Sequence, residues 1–287
     1  MNRFFTTLAT SLLVIGSAFG SYAQEANSLL WKVSGKDITK PSYIFGTIHM
    51  LPEDKYFFTD QMQAALTESD VLALEVDMDV PLSEQLKMAG EMIMPDGKTW
   101  ADFMTADEYA AVKSAFVDSL GFKEKKVDKY SKIKPIYVSG IILSELLGKV
   151  KMYEKELTSL AKKEKKTIIG LETFQEQMDI VNSIQLEDQI EDLKESTASM
   201  VRDYNEMLDA YTEQNLAELE KLGEDSEGFD KMEAKMLTDR NDRWIKAIQE
   251  KLSNTSTFYA VGAMHLVGEK GLIEQLKAAG YSVDAVN

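Results

Sequence analysis

The chain contains no cysteine and only two histidines in 287 residues. Without cysteine there is no disulfide and no thiol for a lipid anchor, so stability has to come from a packed core. Basic residues are also in deficit, with 32 Lys and Arg against 48 Asp and Glu, a formal charge of −16. That balance argues against nucleic acid or an anionic membrane surface as partner and fits a solvated acidic exterior. No apolar run reaches the ~20 residues of a spanning helix. The chain also lacks H-E-x-x-H, a Walker A loop, G-x-G-x-x-G and a G-x-S-x-G elbow, which removes the commonest zincin, nucleotide and serine-hydrolase signatures. No linker rich in Pro, Gly or Ser interrupts it.

What is present begins with a leader. Arg3, an apolar core over about 8–19 and the small-residue site Ser21-Tyr22-Ala23 form a secretory signal pattern, with cleavage expected after Ala23. The expected mature chain, 24–287, is a single α/β domain, exported to the periplasm or the extracellular space, with no stable membrane span.

Strand signals fall towards both ends of the chain. Segments 29–35 and 42–49 predict a hairpin, and 70–78, 165–173 and 256–265 read as short buried strands, as does 281–286. Helices fill the interval. Thr105 and Glu108 form a capping box for a helix ending at Gly121, and 152–166 has helical apolar spacing. Residues 136–147 predict a buried core helix, and 184–252 are mostly helical. The expected fold is therefore α/β: a central mixed sheet with strands from both ends of the chain and a large helical insertion over roughly 81–250.

The two histidines share one local frame. His49 closes "FGTIH" and His265 closes "VGAMH", so each lies three residues after a glycine at the end of an apolar run. In open α/β sheets, ligands bind beyond the carboxyl ends of the strands. Two such imidazoles and a carboxylate make a plausible set for one divalent ion. Glu75, after "VLAL", and Glu172, after "IIGL", are the carboxylates at strand ends, where burial is costly unless they are paired or ligated.

The segments "SYIFGTIHM", "LALEVDM", "KKTIIGLETFQEQ", "LTDRNDRWI" and "FYAVGAMHLVGEKGLIEQLKAAGY" together resemble the TraB/GumN family. That family includes the TIKI metalloproteases and is distantly similar to erythromycin-esterase and ChaN-type haem-binding proteins. The resemblance implies a divalent-metal site at His49, Glu75 and His265, with manganese or cobalt favoured in the TIKI branch; the ligand types themselves also suit zinc. Glu75, Glu172 and Arg240 are the candidate catalytic residues, and Asn241 matches a further characteristic position. The implied function is an exported metal-dependent hydrolase acting on peptide or protein. The alternative is a non-catalytic protein of the cell envelope that binds or sequesters a metal or haem.

Overall fold

The structure, a computed structural model, describes residues 27–36, 38–77, 79–225 and 234–287. The leader expected at 1–23 lies outside them. Six strands form one mixed sheet: β1 (Leu30–Ser34), β2 (Ser42–Thr47), β4 (Val71–Val76), β6 (Thr167–Glu172), β7 (Thr257–Gly262) and β8 (Ser282–Ala285). Their spatial order is β6-β4-β7-β2-β1-β8. A separate ribbon pairs β3 (Leu51–Pro52) with β5 (Val150–Lys151).

The expected hairpin is present, with β1 antiparallel to β2. The four strands β6, β4, β7 and β2 run parallel to one another. β2, β4 and β7 are covered on both faces, which explains their unbroken apolar runs: every residue of β2 is buried, as are Leu72–Val76 of β4 and Thr257–Val261 of β7. The strands at 165–173 and 281–286, expected to be buried, are instead the sheet edges: β6 buries only Glu172 and β8 only Val283, because each has a neighbour on one side alone. Because the four strands are parallel, their carboxyl ends share one edge.

The helical insertion returns to the sheet at β6 and has its own apolar cluster, built around Trp100, Phe116, Val127, Val138, Ile142 and Leu193. Thr105 and Glu108 form both halves of the expected capping box, but the helix Ala106–Ser114 passes into a π-turn at Ala115–Ser119 before Gly121. The helix Pro135–Leu146 is not fully buried, contrary to its apolar composition. Val138 and Ile142 belong to the cluster and Pro135 is buried, while Leu146 is exposed. Leu143 and Leu147 pack on the main core, so the helix bridges the two apolar clusters and leaves one side to solvent. Among the described residues no helix is long and apolar enough to cross a membrane.

Candidate active site

Each parallel strand delivers one candidate residue to the common edge. Glu75 is the penultimate residue of β4, and Glu172 is the last of β6. β7 ends at Gly262 and turns into a 3-10 segment, Ala263–His265, while His49 lies two residues beyond β2. Thr47 pairs with Gly262 across β2 and β7, so the two G-x-x-H frames sit side by side, one residue out of step. Both glycines are there for close approach. A Cβ on Gly46 would come within 3.1 Å of Ala263, and one on Gly262 within 3.3 Å of Glu75 Oε1.

Arg240 ties these ends together. It lies at the start of the helix Asp239–Leu252, directly after a π-turn at Ala234–Thr238. Its Nη2 donates to Glu75 Oε2 at 2.5 Å and to Glu172 Oε1 at 2.6 Å. Its Nε donates to Glu172 as well, at 3.1 Å. Its Nη1 donates to the Met236 carbonyl and to His265 Nε2, both at 2.9 Å. Every N–H of the guanidinium thus has an acceptor. The group also stacks on Trp244, one helical turn on, at 4.5 Å from the ring centroid. Gln177 Nε2 donates to Glu75 and Glu172 from the other side. It is presented by the helix Phe174–Asn182, which a Thr173–Glu176 capping box starts directly after β6.

The tautomer of His265 follows from its neighbours. Asn241 Nδ2 donates to the carbonyls of His265 and Lys270, which fixes the amide so that Oδ1 faces the ring. His265 Nδ1 therefore carries the hydrogen and donates to Asn241 Oδ1 at 2.7 Å. Arginine cannot accept, so Nε2 offers its lone pair to Arg240. The ring is neutral: burial, with the Arg240 charge beside it, pulls its pKa from 6.5 to about 3 against the attraction of Glu75. Burial alone would push Glu75 up. The His265 ring, which is protonated in the acid range where Glu75 titrates, the Arg240 guanidinium, His49 and the Gly262 N–H outweigh it and hold the carboxyl at about 2.

His49 stands apart from this cluster. Its side chain is 67% exposed, and its Nδ1 bonds Glu154 Oε1 at 3.0 Å. That bond, working against desolvation, raises the ring to about 9. The donor types suit a first-row divalent ion, and His265 Nε2 lies 3.8 Å from Glu75 Oε1, a span that two bonds of about 2.1 Å can bridge. The arrangement nevertheless does not fit an ion at His49, Glu75 and His265. The guanidinium bonds both His265 Nε2 and Glu75, and His49 is turned to Glu154. Among the described residues no group of three or more His, Cys, Asp or Glu side chains is placed to hold a metal. Both ring nitrogens of His265 are bonded, which leaves neither for a haem iron.

The structure thus brings Glu75, Glu172, Arg240, Asn241 and His265 into one buried network and leaves His49 at its rim. With all its donors engaged, Arg240 is placed to hold the network and has none left for a substrate oxyanion. Three participants are not singled out as site residues by the sequence: Glu154, Gln177 and Trp244. Gln177 and Trp244 lie inside the family-like segments "KKTIIGLETFQEQ" and "LTDRNDRWI", which is the signal that could have found them, whereas Glu154 lies outside every such segment.

The model of the TraB/PrgY/gumN family matches residues 29–285. A protein of Amphimedon queenslandica described as "Metalloprotease TIKI homolog" is 23% identical, over 96% of this chain and 65% of that protein. The chain thus spans about two thirds of the length of that curated relative. No solved structure matches.

Proposed function

The chain belongs to the TraB/PrgY/gumN family, and from that premise we propose that it is an exported hydrolase of peptide bonds working at the carboxyl edge of β6, β4, β7 and β2. The observation that carries this reading is the buried Glu75–Glu172–Arg240–His265 cluster. Buried ion networks add little net stability compared with apolar packing of the same volume. Several strongly perturbed groups gathered where parallel strands end point to chemistry instead. The relative described as a metalloprotease supports a peptide substrate.

Hydrolysis of an amide needs a proton delivered to the leaving nitrogen. His49 is suited to this. It is exposed at the rim, its Nδ1 is held by Glu154, and it is an imidazolium at neutral pH because its pKa is raised to about 9. The cluster behind it provides a fixed charge pattern that needs no rearrangement during the reaction. No step is routed through an ion, since the donors close on Arg240.

A peptide-library screen of the mature chain tests this, run with a chelator and with added manganese, cobalt or zinc. Cleavage is expected, reduced about 10²–10⁴-fold in His49→Ala and declining as the pH passes about 9. No cleavage under any condition would favour the binding protein instead. The 3.8 Å separation of His265 Nε2 from Glu75 Oε1 supports a second reading, in which Arg240 withdraws and an ion binds. That reading requires cleavage to depend on added ion, and bound metal, measured by elemental analysis, to disappear in both His265→Ala and Glu75→Gln.

A further inference from the structure

We propose that Glu154 is the positioning residue of His49: it holds Nδ1–H, so that Nε2 is the nitrogen that carries the proton to be delivered in the imidazolium and is left bare in the neutral ring. This rests on the reading above, in which His49 handles the proton. Glu154 is the second residue of the helix Tyr153–Lys163, and its side chain is only 14% exposed although its partner is two-thirds exposed. A carboxylate buried to that extent is costly unless something needs it. Among the described residues, His49 is the one side chain that bonds it, through Oε1 at 3.0 Å, and Glu154 Oε2 is buried with no hydrogen-bond partner. No lysine or arginine of the described residues forms an ion pair with it. The first turn of its helix favours a negative charge there, and His49 is the side chain that the carboxylate bonds.

The loop that carries His49 is held by other groups. Tyr211 donates to the Gly46 carbonyl at 2.9 Å and Tyr204 to the Met50 carbonyl at 2.8 Å. These two bonds fix the backbone on either side of the histidine and leave its ring free to rotate. Glu154 supplies the missing constraint. The bond made by one imidazole nitrogen decides which nitrogen carries the proton, and loss of such an orienting partner costs roughly 10–100-fold in function.

Having only two histidines makes the test direct. Long-range ¹H–¹⁵N spectra of the mature chain give two ring systems, assigned with His49→Gln and recorded at a pH where both rings are neutral. His49 is expected as the Nδ1–H tautomer in the wild type and in Glu154→Gln, whose amide oxygen still accepts. In Glu154→Ala it is expected to revert to the Nε2–H form that a free imidazole prefers. The His265 signals should stay in place in each variant, as a check on the fold. A wild-type His49 in the Nε2–H form overturns the proposal even if no variant folds, and so does an Nδ1–H form that survives Glu154→Ala. With a cleaved peptide in hand, Glu154→Ala should lower kcat about 10–100-fold with KM unchanged; a rise in KM alone overturns the positioning role. The tautomer is read without substrate, so the absence of any cleavage would count against the hydrolase reading and leave the Nδ1–H result in support of the positioning role.

Discussion

Arg240 is the residue on which the site depends, because it neutralises two buried carboxylates at once. Arg240→Met keeps the volume but leaves Glu75 and Glu172 buried beside each other without their cation. Breaking a buried ion pair from one side costs about 3–5 kcal/mol, and urea unfolding at neutral pH should show a loss of that order. Arg240→Lys should restore only part of it, since an ammonium cannot supply the Nε and paired Nη donors that now reach Glu172, Glu75, His265 and Met236. Gly46 is a second sensitive point. Gly46→Ala places a methyl 3.1 Å from Ala263 and should cost about 1–3 kcal/mol by overpacking, while forcing apart the two strand ends that carry the histidines.

Among the elements, the helix Met200–Thr212 acts at a distance from the chemistry. Its two tyrosines hold the carbonyls that flank His49. Tyr211→Phe removes the bond to the buried Gly46 carbonyl and should destabilise the protein by about 1–3 kcal/mol, as expected for a buried acceptor left unpaired. Thermal unfolding checks this. In the helix Phe174–Asn182 the capping box is the exposed weak point. Thr173→Ala should cost about 1 kcal/mol. Because the same first turns present Gln177 to Glu75 and Glu172, any cleavage activity should fall with it.

At the scale of the whole molecule, the titrating groups of the site give stability a maximum. His265 is held at about 3 instead of 6.5, so between those values the unfolded chain binds a proton that the folded chain refuses. Its contribution is complete above 6.5 and is lost as the pH falls through that window. Glu75, lowered from 4.5 to about 2, adds a loss of the same sign over its own, more acidic range. His49 has the opposite sign: its pKa is raised from 6.5 to about 9, so its contribution is whole below 6.5 and fades as the pH climbs to 9. Denaturation across the pH scale should show greatest stability near 6.5, with the alkaline limb flattened in His49→Ala and shallow even in the wild type, because solvent screens an exposed pair. The proposed export predicts a mature N-terminus at Gln24 when the protein is isolated from its host. The sequence by itself determined the six strands of the main sheet, their placement towards both ends of the chain and the helices between, because apolar period and capping residues are local properties. Only the tertiary structure decided that Arg240 lies among Glu75, Glu172 and His265 with every donor engaged, that Asn241 sets the tautomer of His265, and that His49 turns to Glu154. Those outcomes depend on which side chains from distant helices reach the strand ends first, and on the strong penalty that burial places on any charge left without its partner.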